Sequence, residues 1–170
     1  LGLSRDPVVA AQDIVHGKPF AIDIGAFGEN RWFDYVAAFG LFTNVPYQTP
    51  QVDKRIWGRM AYFFNGVQAL GEVHPVHARV SWDGKTVEAD IIDGLVCSTT
   101  SVGGFKATRA VGEFGISMND GLYEVVLIRD IKNLADFSAV AAKLLWMDFS
   151  DENYFITAQT SAIRFEFDDS

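Results

Sequence analysis

An acidic side chain at a sharp bend, next to carbonyls that the bend frees from strand pairing, suits a hard divalent cation, and Ser117-Met118-Asn119-Asp120-Gly121-Leu122 offers that combination. The Asp120 carboxylate with the backbone carbonyls of Ser117 and Leu122 would give the all-oxygen ligand set that Mg2+ or Ca2+ prefers. The same residues also read as a plain turn, because glycine takes a positive φ at no steric cost while aspartate braces the bend. Residue types alone leave both readings open. Other candidates point away from chemistry. His74 and His77 flank Pro75 without cysteine or acidic companions at ligand spacing, and read as surface residues. His16 reads as a last-turn helix residue facing the negative end of the helix dipole. Cys97 is the single cysteine, which excludes an internal disulfide and a multi-cysteine zinc site, suits a reducing compartment, and reads as a small buried apolar residue. No Walker-type phosphate loop, strand-following G-x-G-x-x-G, H-E-x-x-H or G-x-S-x-G is present, so no complete active site is visible.

The bend must be held by what flanks it. Gly115 to Asn119 and Leu122 to Ile128 read as the arms of a hairpin, and the nearly continuous apolar run Val125 to Ile128 places the second arm centrally in a sheet. Period-two alternation predicts further strands over Phe20 to Phe27 (Ile22 and Ile24 inward, Asp23 outward), Arg31 to Phe39, Leu95 to Ser101, Tyr154 to Ala158 and Ala162 to Phe167. Val76 to Trp82 and Thr86 to Ile92 form a short-turn hairpin around Asp83-Gly84-Lys85. Gly103-Gly104 lets the backbone bulge or approach something closely. Three stretches have helical spacing. Asp6 caps and Pro7 opens a short helix with Val9, Ala10, Ile14 and Val15 as an inward stripe. Ile56, Met60, Phe63, Phe64, Val67 and Leu70 share one face of a longer helix, with Lys54, Arg55 and Arg59 outside it. Asn133 caps a third, with Leu134, Phe137, Val140, Ala141, Leu144 and Leu145 inward.

With 170 residues, 49% of them hydrophobic and 14% aromatic, the chain can bury a substantial core. A net charge of -8 without basic stripes excludes nucleic-acid binding as a reading. No apolar stretch approaches the roughly 18 residues of a membrane span, and no signal peptide opens the chain. Starting at Leu1 in mid-element, the chain reads as a fragment of something longer. Many short antiparallel strands with little βαβ alternation predict a mainly β (α+β) fold: one antiparallel, β-sandwich-like domain over residues 1–170 with a few helices packed outside.

Four stretches, in order, carry a family resemblance: LGLSRDPVVAAQDIVHGKPFAIDIG, RWFDYVAAFGLFTNVPYQTPQVDKRIWGRMAYFFNG, STTSVGGF and MNDGLYEVVLIR. Together they cover nearly the whole chain, which resembles the bacterial soluble diacylglycerol-kinase-like lipid kinases, a family distinct from the small integral-membrane enzyme. The resemblance implies the C-terminal, lipid-side domain of a two-domain enzyme. The family's Gly-Gly-Asp-Gly-Thr nucleotide motif and Gly-Thr-x-Asn-Asp segment would precede Leu1, and its Asp-Gly-Glu general-base motif would follow the strand resembling IRFEF. It further implies a structural Mg2+ or Ca2+ site at Asp120, Ser117 and Leu122, and a supporting lysine, Lys54, linked to that acidic network ahead of Gly58-Arg59-Met60-Ala61-Tyr62. Ser98 stands where relatives usually carry Asn.

On this resemblance, the full-length protein is expected to phosphorylate the hydroxyl of diacylglycerol or a related lipid with ATP. The isolated chain is expected to be inactive, lacking the nucleotide motif and the general base. The implied partners are lipid at a membrane surface, its own N-terminal nucleotide domain and a possible second copy, in a cytoplasmic protein that touches the membrane peripherally. The alternative is a non-catalytic β module that binds lipid or a protein through aromatic loops such as Phe42 to Tyr47.

Overall fold

The computed structural model describes residues 4, 6–40, 74–98, 101–102, 105–106, 117–146 and 148–168. Helix α1 (Pro7–His16) is followed by strands β1 (Gly25–Phe27), β2 (Arg31–Phe33) and β3 (Val36–Gly40). Next come β4 (Val76–Trp82), β5 (Lys85–Cys97), β6 (Ser101–Val102), β7 (Phe105–Lys106) and β8 (Tyr123–Arg129). Helix α2 (Leu134–Trp146), β9 (Phe155–Thr160) and β10 (Arg164–Phe167) complete the order. The arrangement is mainly β: six strands form one antiparallel sheet in the order β10-β4-β5-β8-β9, with β3 also on β5.

Strand β5 organises this sheet because its thirteen residues outlast each partner. Its first half pairs with β4 from Trp82↔Lys85 to Val76↔Ile91, and its second half pairs with β3 from Gly40↔Asp93 to Val36↔Cys97. The opposite edge takes β8, after a register shift between Ile91 and Asp93. The β4–β5 link is the expected Asp83-Gly84 turn, with φ of 46° and 75°, the positive pair that matches the right-handed twist of a two-residue hairpin. The predicted strand from Leu95 is the second half of β5.

Alternation along β8 divides the core. Val125 and Leu127 face one side with Ala78, Val80, Ile91 and Ile156. Val126 and Ile128 face the other with Ile92, Phe155 and the helix residue Val140. Full burial of each valine, leucine, isoleucine or phenylalanine among them contributes about 1.5–3 kcal/mol. Helix α2 covers the second face as its period predicts: Asn133 Oδ1 accepts from Asp136 N at 2.9 Å as N-cap, and Phe137 and Val140 are buried. Leu134, expected inward, is exposed. The Thr160 hydroxyl donates to Asp83 Oδ1 at 3.0 Å, tying the end of β9 to the β4–β5 turn.

Several expected elements differ. Phe20 to Phe27 is a strand only at Gly25–Phe27, and Ile22 and Ile24 are exposed, because the residues before Gly25 have no ladder partner among the described residues. Arg31 to Phe39 is two strands, since β2 pairs with β1 and β3 with β5. The first arm of the Asp120 hairpin is not a strand over Ser117–Asn119, which bends, while its remaining residues lie outside the described ones. Helix α1 forms where expected, with Asp6 Oδ1 accepting from Val8 N at 2.8 Å, but it buries none of its residues, so the inward stripe is not inward. The predicted 51–70 helix and the loop aromatics Phe42 to Tyr47 lie outside the described residues, as do Gly103 and Gly104, which fall between the paired β6 and β7.

Candidate functional site

The bend at Asp120 sits at the head of β8, a strand flanked by β5 and β9 and therefore among the most firmly held backbone in the sheet. Gly121 takes φ +74°, and Asp120 Oδ1 accepts from Leu122 N at 3.0 Å, so the aspartate braces its own turn. Ser117 Oγ donates to Asn119 Oδ1 at 2.9 Å and rounds off the approach. The structure thus places Ser117, Asp120 and Leu122 in one six-residue bend, with Asp120 exposed and the other two partly covered. Lys54 lies outside the described residues.

A second carboxylate joins the bend from far away in sequence. Asp23 Oδ2 accepts from Gly121 N at 2.8 Å, across 98 positions. Asp23 N in turn donates to the Met118 carbonyl at 2.7 Å. The expected orientation is reversed here: Asp23 is less exposed than Ile22 and Ile24 because it turns toward the bend. The following β1–β2 ribbon is held to the same place by Phe33, whose ring lies 5.4 Å from that of Tyr123. Phe33 fits because its strand partner is Gly25; any Cβ at that glycine would fall 2.2 Å from the ring. Asp23→Ala is expected to release the Gly121 amide, speeding its hydrogen exchange about tenfold and lowering Tm by about 2–4 °C for a loss near 1 kcal/mol. Amide exchange by NMR with a thermal melt checks this.

Burial and the negative charge of Asp23 together hold the Tyr123 phenol above its ordinary pKa. Glu124 faces the α2 side next to Val126 and is 1% exposed. One oxygen accepts from Gln159 Nε2 at 3.2 Å, while Oε2 has no hydrogen-bond partner among the described residues. Burial pushes its carboxyl above the usual range and the charge of Asp120 adds to this, against the opposing Gln159 hydrogen bond. A raised carboxyl favours folding most below its ordinary pKa, and that contribution is lost as pH climbs through the raised value. Glu124→Gln, which imitates the protonated form, is therefore expected to raise stability at pH 7 and to add nothing below about pH 4. Urea titrations at the two pH values provide the comparison.

Among the described residues neither Asp23 nor Asp120 has a salt-bridge partner, and each has one carboxylate oxygen taken by a backbone N–H. The other oxygens, with the bend's carbonyls, are hard donors of the kind that Mg2+ and Ca2+ select. No three His, Cys, Asp or Glu side chains that could hold a metal ion converge among the described residues, so a cation at the bend would have to rest on one or two carboxylates and backbone oxygens. Of the two histidines around Pro75, His74 is exposed, and His77 Nδ1 lies 2.8 Å from Asp90 Oδ1 in an exposed cross-strand pair that raises its pKa. Sequence reasoning missed Asp23 at the bend and the buried Glu124. The first has no local signal at 98 residues' separation, and the second reads as the polar margin of an apolar run.

No family model matches the chain. It is 28% identical over 165 residues to a diacylglycerol kinase of Bacillus subtilis, a match that takes in 96% of the chain and 52% of that protein. A diacylglycerol kinase of Staphylococcus aureus is 29% identical over 140 residues, 82% of the chain and 42% of the relative. The chain thus spans about half the length of the curated relatives it matches. A crystal structure of a diacylglycerol kinase from Bacillus anthracis superposes on 99% of the chain and 51% of its own, with a TM-score of 0.63 at 15% identity. A second structure from that organism gives a TM-score of 0.69 at 17% identity, covering 99% of the chain and 54% of its own. At those identities the structures speak for the fold.

Proposed function

We propose that this chain is the lipid-side domain of an ATP-dependent kinase that phosphorylates the hydroxyl of diacylglycerol or a related lipid. The observation that carries the reading is the similarity along 96% of the chain to a bacterial protein named diacylglycerol kinase. The Asp120 bend, with oxygen donors poised in the sequence Ser117 to Leu122, supports it. Bound there, Mg2+ or Ca2+ would neutralise the acidic bend and stiffen it. Asp120 and the carbonyls of Ser117 and Leu122 would hold the ion, Asp23 would fix the bend through Gly121, and Lys54 would pair with the acidic network. These residues brace one wall of a cleft. The nucleotide motif and the carboxylate that accepts the hydroxyl proton as the γ-phosphoryl group is transferred belong to the other half of such an enzyme.

Among the described residues no helix is long and apolar enough to cross a membrane. In this reading the acceptor resides in the bilayer, and the enzyme meets it peripherally from the cytoplasmic side. Assaying the full-length gene product with ATP against a panel of diacylglycerol, sphingoid bases and other lipid alcohols tests the proposal. Phosphorylated lipid from at least one acceptor is the expected result; no turnover on any of them, from folded protein with Mg2+ present, would rule it out.

A further inference from the structure

The β4–β5 hairpin and the entry to β10 enclose a groove of about 400 Å³, lined by residues 81–86 and 162–164. That volume lies within the range of about 300–1,000 Å³ that small-molecule sites occupy. One buried group fastens its two walls. The Thr160 hydroxyl, in a residue 2% exposed, lies 3.0 Å from Asp83 Oδ1 in the first wall and 2.9 Å from the Ala162 carbonyl in the second. Its oxygen also accepts from Ala162 N at 3.3 Å, so the groove is shaped by the fold before any ligand arrives. Polar groups converge along it. The register sets Arg164 opposite Ser81 and Ser81 opposite Thr86, which puts a guanidinium and two hydroxyls in one row across β10, β4 and β5. The Ser81 and Thr86 oxygens lie 3.0 Å apart and share one proton, leaving the second hydroxyl proton to donate outward. Arg164 Nη2 lies 2.8 Å from Glu166 Oε1, and the guanidinium keeps further N–H donors. Lys85 has no salt-bridge partner among the described residues. Asp83 is the one carboxylate in the lining, and its Oδ1 is turned to Thr160. Trp82, half-buried and packed against the core, adds a flat apolar wall.

We propose that this groove binds a phosphate group, free or as the phosphomonoester of a small lipid, through Lys85, Arg164 and the Ser81–Thr86 hydroxyls. Two cations against one engaged acid make the groove locally positive in a chain of net charge -8. The number and spread of donors select phosphate over carboxylate. A carboxylate is planar and offers two oxygens, whereas a phosphomonoester has three terminal oxygens and a charge of about -1.5 to -2 at pH 7, enough to engage both cations and the hydroxyl together. Trp82 lies beside the donors, where it would meet any apolar body that carries the phosphate. The inference does not depend on the kinase reading, since every group it uses lies in this groove.

NMR titration of the isotope-labelled full-length gene product tests the proposal, with sodium phosphate, with monomeric dihexanoyl phosphatidic acid, and with sodium chloride at matched ionic strength. Saturable shifts of the Gly84 and Lys85 amides and the Trp82 indole N–H are expected with a phosphate ligand, and none with chloride. Lys85→Gln and Arg164→Gln should each weaken that binding about 5- to 10-fold. Lys85 is exposed and the Arg164 side chain is 76% exposed, so both variants should keep the fold, and unchanged Val125–Ile128 amides report that they do. Saturation by both phosphate ligands at equal affinity supports the proposal with free phosphate as the ligand. A preference of at least about tenfold for the lipid supports it with the headgroup and its apolar body as the ligand. No saturable shift with either phosphate ligand, equal shifts with chloride, or binding unchanged in both variants would overturn it.

Discussion

Gly40→Ala is expected to destabilise the fold by more than about 3 kcal/mol and to lower Tm by roughly 6–12 °C. Two independent costs combine at this position. Gly40 has φ +100°, a backbone conformation that side-chain-bearing residues rarely adopt. A Cβ there would also fall 2.3 Å from the Ile92 carbonyl oxygen and 2.7 Å from Asp93 Cα. Those atoms are backbone at the register shift in β5, so relief requires β3 to move away from the strand that organises the sheet. Gly28→Ala is the control that separates the two costs. Its φ is +63° and nothing lies within 4 Å of the added methyl, so strain acts alone and about 1 kcal/mol is expected. Equal losses for the two variants in urea unfolding would mean that the β3–β5 contact is not as described.

The second large effect is functional. Asp120→Ala in the full-length protein is expected to lower lipid phosphorylation by about 10- to 100-fold, the scale for removing a group that organises an ion's surroundings. The fold should survive, because Asp120 is exposed and its one described bond goes to the neighbouring Leu122 N. Asp120→Asn separates the turn from the ion. An asparagine oxygen can still accept from Leu122 N and brace the bend, yet it brings no charge for a cation. If the bend matters merely as a turn, the asparagine variant retains activity; if it holds an ion, both variants lose it. Steady-state phosphorylation of the lipid acceptor, with near-ultraviolet circular dichroism to check the fold, distinguishes these outcomes.

Local chemistry made part of this architecture readable. Asp83-Gly84 between alternating runs could hardly form anything except a tight hairpin, and the Val125 to Ile128 run required burial on both sides. Asn133 ahead of a 3.6-residue period marked the start of α2 correctly. The failures share one cause, which is that periodicity shows which side chains lie together and not what covers them. The α1 stripe and the Ile22 and Ile24 alternation were real patterns, but neither meets a partner surface among the described residues. Asp23 was legible as polar and illegible as a brace for Gly121, since its role depends on two segments 98 residues apart meeting. The same holds for Gly94, where an added Cβ would strike the Phe39 ring at 2.4 Å, a constraint created by the β3–β5 pairing and absent from any local window.

The most direct measurement is calorimetric titration of Mg2+ and Ca2+ into the 1–170 chain, alongside Asp120→Ala. A site built from few carboxylates and several carbonyls should bind one ion saturably, in the range of about 10⁻⁴–10⁻³ M, and the variant should show no saturable binding. Binding that persists unchanged in the variant, or none in the parent chain at millimolar ion, would contradict the assignment of a cation to the Asp120 bend.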